Sequence, residues 1–179
     1  MTLPCKSTEI FLEIAKPGDL GTLLSLIQSY YRFDRIPFNR KEMVPGLKLL
    51  LSDDTLGRVW LIRHRHRTVG YIIATFGFDL EFGGTQATVT DLFIRARYRG
   101  KGLGRVALLH VEEFCRGCGV QAIELQVART NASALAFYER LGFQAHERVP
   151  MSRRINWPKL NPRRAQDERR QAVCKVIPL

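Results

Sequence analysis

Cysteines are few in this sequence, and its hydrophobic runs are short. Only four of the 179 residues are cysteines, too few and too scattered for a disulfide scaffold. Cys115 and Cys118 form a C-x-x-C pair, but no second pair follows, so we expect no metal site. The most apolar stretch, residues 59–78, is interrupted at 63–67 by arginines and histidines. This interruption excludes a membrane-spanning helix.

Acidic residues are outnumbered by basic ones, 17 to 28, which gives a net charge of +11. Residues 151–179 hold eight of the basic and two of the acidic residues, so this segment alone carries +6. Such a segment is able to bind nucleic acid nonspecifically, but a solvated, partly disordered extension is more common. We therefore expect a folded domain at 8–152 and a basic C-terminal extension at 153–179. The first 14 residues lack the features of a secretory signal, so we expect a cytoplasmic protein.

The hydrophobic pattern predicts a chain of mixed strands and helices. Strands are predicted at 9–15, 58–63, 68–78, 86–94, 120–128 and 146–152. Helices are predicted at 20–31, at 40–51, after residue 104 to about 117, and at 132–141. The predicted order is βααβββαβαβ, an α/β fold with helices packed on a mixed sheet.

The segment most informative about function joins the strand at 86–94 to the next helix. It carries glycines at alternate positions, Gly100, Gly102 and Gly104, which allow backbone N–H groups to approach a ligand closely. The helix that follows adds unpaired N–H groups and the positive end of its dipole. Arg99 and Lys101 add charge. The segment is therefore predicted to bind an anion such as a diphosphate without a metal ion.

A second motif strengthens this interpretation. The run YRGKGLGRVALLHVEEF, with R-x-x-G-x-G at 99–104, is followed by NASALAFYERLGF at 131–143. Together these runs resemble the GNAT superfamily of acetyl-CoA-dependent N-acetyltransferases, over residues 10–151. The resemblance implies a mainly antiparallel sheet flanked by helices, with the coenzyme bound between splayed central strands. It also implies transfer of acetyl from acetyl-CoA, a co-substrate, to a primary amine by direct attack in a ternary complex.

The resemblance also implies which residues bind the coenzyme. In the family, the R-x-x-G-x-G segment binds the pyrophosphate through backbone amides, which here are those of Arg99, Gly100, Lys101, Gly102, Leu103 and Gly104. The pantetheine arm pairs with the end of the preceding strand, here Leu92, Phe93 and Ile94. A backbone N–H near Leu92 would polarise the thioester carbonyl. Asn131 matches an asparagine that contacts the coenzyme, and its position fits a helix N-cap equally well.

Two catalytic groups are expected, an acid and a base. Tyr138 matches the tyrosine that in many members contacts the coenzyme and protonates the departing thiolate. In several members, a glutamate acts as the general base at the position where this chain has Thr90. Threonine is unable to act as a base. Asp91 is the neighbouring carboxylate, but strand alternation directs it to the opposite face unless a bulge re-aims it. Glu81, in the turn at 79–84, is the other candidate base.

Other functions stay open at this point. Thr90 at the usual base position motivates a noncatalytic acyl-CoA-binding regulatory domain. The basic extension motivates a protein- or ribosome-associated acetyltransferase that uses this tail. The acceptor is expected to be a small-molecule or peptide amine, with Tyr30, Tyr31 and Phe33 as candidate lining residues and Asp34 among the acidic groups nearby. Many family members dimerise, so a homodimer is a further expectation.

Overall fold

The structure, a computed structural model, describes residues 10–153. Its strands are β1 (Ile10–Ile14), β2 (Gly57–His64), β3 (Arg67–Asp79), β4 (Gly84–Ile94) and β5 (Ala122–Leu125). Its α-helices are α1 (Leu20–Phe33), α2 (Arg40–Ser52), α3 (Leu103–Gly117) and α4 (Ala132–Glu139). Among these residues, no helix has the length and apolar character needed to cross a membrane.

The strands form one sheet in chain order, β1-β2-β3-β4-β5. The first four are antiparallel to their neighbours, and β5 runs parallel to β4. A parallel pair needs a crossover connection, which α3 supplies between β4 and β5. The expectation of an α/β fold with a mixed, mainly antiparallel sheet flanked by helices is therefore confirmed.

Apolar side chains cover both faces of the sheet. On one face, the buried residues of α3 pack on alternate residues of the central strands, among them Ile72, Ala74 and Val89. On the other face, the buried residues of α1 and α2 pack on Tyr71, Ile73 and Phe93. Both faces of β3 are thus covered, which explains its unbroken apolar run from Val69 to Ala74.

The end of the predicted topology is wrong. The described chain divides after Phe143 into two units, and the second, described for residues 144–153, contains no strand. The strand predicted at 146–152 is therefore absent. Val149 and Met151 are 71% and 93% exposed, and Pro150 has no N–H to donate to a neighbouring strand. The domain limits 8–152 and 153–179 stay predictions, since residues beyond 153 lie outside the described part.

The strand predicted at 120–128 is shorter than expected. The structure pairs only the four residues Ala122–Leu125 with β4. In the described sheet, β5 is an edge strand that pairs with β4 alone. The strand therefore ends where β4 diverges from it. Most other elements differ from their predicted bounds by one or two residues; for example, β1 ends at Ile14 and β4 begins at Gly84.

A β-bulge interrupts the pairing of β3 with β4. Ile73 lies opposite Asp91 and Ala74 lies opposite Val89, so Thr90 has no residue opposite it. An extra residue reverses the alternation of side chains beyond it. Val89 faces the α3 side of the sheet, whereas Phe93 and the partner of Asp91, Ile73, face the α1–α2 side. The bulge therefore directs Asp91 to the α1–α2 side.

Gly70 is required by the close approach of β3 to β4. A methyl group built there would overlap the carbonyl oxygen of Phe93, whereas one built on Gly77 would meet only the Gln86 side chain, at 3.6 Å. We expect Gly70→Ala to lower the free energy of unfolding by about 1–3 kcal/mol. Gly77→Ala, the matched control, should change it by less than about 0.5 kcal/mol. Urea denaturation measures both, and equal midpoints for the two variants would contradict this packing.

Candidate active site

The edge of β4 that faces β5 is open over its last residues. β5 pairs with Gln86 to Val89 only, so in the described chain residues 90–94 have no strand on that side. The Arg95 N–H donates to the Val69 carbonyl of β3 at 2.9 Å. Because backbone groups of successive residues point to opposite edges of a strand, Phe93 also faces β3, and Leu92 and Ile94 face the open edge.

This geometry separates three residues that were predicted together. Leu92 and Ile94 present main-chain groups to the open edge, as strand-like pairing with an extended ligand requires. Phe93 does not, because its backbone faces β3 and its side chain is buried against α1. Its contribution to the site is packing.

The glycine segment before α3 forms a concave backbone turn. Gly100 and Gly102 have φ values of +71° and +81°, which other residues rarely adopt, and a Cβ on either would meet nothing within 4 Å. Gly102 is the N-cap of α3 and offers no side chain to its N–H groups. The first-turn N–H groups of the helix therefore face open space, as an anion site requires.

Leu103 and Gly104 anchor this turn rather than line it. Leu103 is buried in the core beneath α3. A Cβ on Gly104 would lie 3.2 Å from the Phe137 ring of α4, so the glycine allows α3 and α4 to approach each other. Their backbone N–H groups lie at the start of α3. The buried Leu103 side chain and the close packing that Gly104 allows hold the turn in place.

The two basic side chains of the turn lie on aromatic rings. Arg99 donates from Nε to the Ile94 carbonyl at 2.8 Å, and its guanidinium carbon lies 4.1 Å from the centre of the Phe33 ring. Lys101 Nζ lies 5.6 Å from the centre of the Tyr98 ring. Arg99 therefore connects the end of β4 with the last residue of α1, in addition to placing positive charge beside the glycines.

Asn131 and Tyr138 belong to α4. The Asn131 Oδ1 atom accepts a hydrogen bond from the Ala134 N–H at 3.1 Å, which is N-cap geometry. The Tyr138 ring lies between Phe137 and Phe143, with centroid distances of 5.2 and 5.8 Å. Burial raises the pKa of the Tyr138 hydroxyl, so this group stays protonated throughout the neutral range.

Asp91 is a half-buried carboxyl without a cationic partner. Burial raises its pKa to about 6. Within residues 10–153, no salt bridge or hydrogen bond reaches its side chain. Its environment thus disfavours the charged form and brings its titration close to neutral pH.

Three tyrosines share the space around Asp91. Burial raises the pKa of Tyr30 to about 12, with further contributions from Asp91, Asp34 and Tyr138. Burial and Asp91 also raise the pKa values of Tyr31 and Tyr71. Tyr30 is therefore within electrostatic range of both Asp91 and Tyr138, although these two groups come from opposite sides of the sheet.

The other predicted base, Glu81, lies elsewhere. It belongs to the β3–β4 turn, where its N–H donates to Asp79 Oδ1 at 2.8 Å. Asp91 lies seven residues beyond Gly84, the first residue of β4, which is about 23 Å along the strand at about 3.3 Å per residue. The structure therefore does not bring Glu81 together with the glycine turn or with Tyr138.

Sequence reasoning missed two residues on this face. Tyr71 lies in the run 69–74, whose other residues are aliphatic or glycine. A polar hydroxyl in such a run is the sequence feature that could have identified Tyr71 as a candidate site residue. Glu124 of β5 pairs with Thr88, so it lies on the α1–α2 face beside the strand that carries Asp91. No group of metal-ligating residues is found among the residues that the structure describes.

Comparison with known proteins adds independent information. The family model of the GNAT acetyltransferases matches residues 23–143. A solved structure from a salt-marsh metagenome at Cole Harbour, an integron cassette protein, is 33% identical with a TM-score of 0.72, and the match covers 82% of this chain and 91% of that one.

Two curated proteins match over shorter regions. An uncharacterized N-acetyltransferase of Methanocaldococcus jannaschii is 27% identical over 73% of this chain and 59% of its own length. The ribosomal protein bS18-alanine N-acetyltransferase of Escherichia coli is 31% identical over 52% of this chain and 57% of its own length. The matches thus span less than two thirds of the length of these curated relatives.

The glycine turn is tested by anion binding alone. We expect Gly102→Asp to weaken binding of inorganic pyrophosphate at least about tenfold, because it adds bulk and negative charge where the N–H groups converge. Gly119→Asp is the matched control, since Gly119 has a φ of +74° and open space around it but lies beyond the other end of α3. Isothermal calorimetry measures both, and equal affinities would reject the turn as the anion site.

Proposed function

Because this chain belongs to the GNAT family of acetyltransferases, we propose that it transfers acetyl from acetyl-CoA to a primary amine by direct attack in a ternary complex. The observation that carries this proposal is the meeting of four features where β4 and β5 part. These are an open strand edge, a glycine turn suited to anions, a half-buried carboxyl and a half-buried phenol. Acetyl-CoA supplies the activated thioester carbonyl that the amine nitrogen attacks.

The chain's own backbone provides the coenzyme site. The N–H groups at Gly100 and Gly102 and in the first turn of α3 bind the diphosphate. The main-chain groups of Leu92 and the N–H of Ile94 hold the extended arm, since the Ile94 carbonyl already accepts from Arg99. An N–H on this edge is also suited to stabilise negative charge that develops on the carbonyl oxygen. The open space beside the positive-φ glycines supports this assignment.

Asp91 acts as the base. An amine arrives as an ammonium ion and must lose a proton before its nitrogen can attack. A carboxyl with a pKa near 6 is ionised at neutral pH yet is a stronger proton acceptor than an exposed aspartate. The bulge at Thr90 supports this role, because it places Asp91 on the side of the sheet that α1 and α2 wall off.

Tyr138 acts as the acid. Its hydroxyl is protonated at neutral pH. Both Tyr138 and Asp91 raise the pKa of Tyr30, which supports a position of both groups near that residue. A phenol in this position donates its proton to the departing thiolate. The base and the acid therefore approach the reacting atoms from opposite sides of the sheet.

A noncatalytic coenzyme-binding domain is the alternative. It rests on Thr90, which occupies the position of the usual base. The bulge favours the enzyme, because it supplies a carboxyl from the next residue. The deciding experiment is a thiol-release assay with acetyl-CoA and a panel of polyamines, aminoglycosides, amino acids and peptides, beside calorimetric titration of acetyl-CoA alone. Release that depends on an acceptor supports the enzyme, and binding without release across the panel supports the alternative.

The pH dependence of the reaction tests Asp91. Because the base must be deprotonated, kcat/KM should fall about tenfold per pH unit below pH 6 and level off above it. Asp91→Asn should lower kcat and abolish this fall in kcat/KM below pH 6, the acid limb of the pH profile. Glu124→Gln is the comparison variant, since it removes a carboxylate of the neighbouring strand β5 on the same face. An acid limb that disappears in Glu124→Gln and persists in Asp91→Asn would overturn the assignment.

Replacing the proton donor gives a separate test. Tyr138→Phe should lower kcat by about 10²-fold or more, because the thiolate then leaves without a proton. The affinity for acetyl-CoA, measured by calorimetry, should stay within about twofold, since the ring and its packing are retained. An unchanged kcat would eliminate the proton-donor role.

A further inference from the structure

Tyr71 and Asp91 are neighbours on the α1–α2 face of the sheet. Tyr71 pairs with Phe93, and Ile73 pairs with Asp91, so Tyr71 and Asp91 are diagonal neighbours on adjacent strands. Diagonal positions are within reach of a side chain as long as tyrosine. The effect of Asp91 on the Tyr71 hydroxyl is consistent with this proximity.

Both groups lack the partners that buried polar groups normally have. Tyr71 is 0% exposed, and its hydroxyl has no hydrogen-bond partner among the described residues. Asp91 likewise has no cation or donor there. Leaving the buried Tyr71 hydroxyl unpaired costs free energy in the folded protein, and the half-buried Asp91 carboxyl is without a described partner beside it. Such a cost is typical of a site that completes its hydrogen bonds with a ligand.

The groups that face Asp91 define the charge of that ligand. They are Tyr30 and Tyr31 from α1 and Tyr71 from β3, the three residues whose hydroxyl pKa values Asp91 raises. All three are neutral. The cation nearest to this cluster among the described contacts is Arg99, 5.7 Å from the centre of the Phe93 ring, and it donates to the Ile94 carbonyl and lies on Phe33. The Tyr30 and Tyr71 rings also flank Phe93, with centroid distances of 5.9 and 6.1 Å. A carboxyl surrounded by hydroxyls and aromatic rings favours a cation with N–H donors.

We propose that Asp91 and the hydroxyls of Tyr71 and Tyr30 form the binding site for the acceptor's primary ammonium group. This proposal rests on the acetyl-transfer function above. An unsubstituted ammonium carries three N–H donors, and the site offers an oxygen from each of three side chains. Proton transfer then breaks one N–H bond and forms an O–H bond on Asp91. It leaves a neutral amine with a free electron pair beside a neutral carboxyl.

The same groups define which acceptors are excluded. A carboxylate or phosphate next to the amine would lie beside Asp91 in a partly buried site, where like charges repel strongly. The acceptor class is therefore an amine without an adjacent anionic group, such as a peptide amine or a polyamine. Free α-amino acids are excluded by the same repulsion.

Small amines test the site without the coenzyme. Protein labelled with ¹³C at the aspartate carboxyl is titrated by NMR, and the Asp91 resonance is identified by its loss in Asp91→Asn. Butylammonium should shift this resonance saturably. Butyltrimethylammonium, which has no N–H donors, and norvaline, which adds a carboxylate next to the amine, should bind at least about tenfold more weakly. Equal shifts with all three probes, or no shift with butylammonium, would overturn the proposal.

Tyr71→Phe distinguishes a binding role from a structural one. It should weaken butylammonium binding about five- to tenfold, because one hydrogen bond is lost. It should leave the urea midpoint unchanged or raise it, because it removes an unpaired buried hydroxyl. Tyr98→Phe, which alters a tyrosine beside Lys101, should leave butylammonium binding unchanged. A lower midpoint with unaltered binding in Tyr71→Phe would contradict the proposal.

Failure of the ammonium site and failure of the proposed acetyl transfer give different experimental outcomes. The NMR titration uses no acetyl-CoA, so loss of thiol release with intact, selective butylammonium binding would reject only the proposed function. Thiol release without selective binding at Asp91 would reject only this ammonium site.

Discussion

The bulge at Thr90 is the constraint on which the site depends. If Thr90 were paired regularly with β3, the alternation set by Ala87 and Val89 would direct Asp91 into the apolar core beneath α3. With the bulge, the β4 main chain still pairs with β3, and Asp91 faces the tyrosines of α1 and β3. A single inserted residue therefore converts a core-facing strand position into a position for a titratable group.

The second requirement is that β4 and β5 separate. Ten residues of β4 pair with β3, whereas β5 pairs with four residues of β4. The strands therefore part beyond Val89 without loss of the main ladder, and the main-chain groups of Leu92 and Ile94 face the gap. Two contacts hold the walls of this gap, Gly104 against Phe137 and Arg99 on Phe33.

Much of this arrangement was predictable from the sequence, and the reasons for the misses are physical. The glycines at 100 and 102 indicate a backbone turn before a helix, and the turn is present with positive φ values. The bulge was not predictable, because Thr90 resembles any strand residue and only pairing with β3 shows that it is the extra one. The role of Tyr71 was missed for the same reason, since a tyrosine in an apolar strand usually belongs to the core. The strand predicted at 146–152 was wrong because its alternating pattern has no described neighbour to pair with.

A crystal structure of the protein with coenzyme A bound would test the account most directly. We expect the sulfur atom at the open edge of β4, within about 4 Å of the Tyr138 hydroxyl. The Asp91 carboxyl should face the same gap from the α1 side, with room for an amine between the two groups. A sulfur atom beside the β3–β4 turn at Glu81, or an Asp91 side chain turned toward α3, would contradict the account.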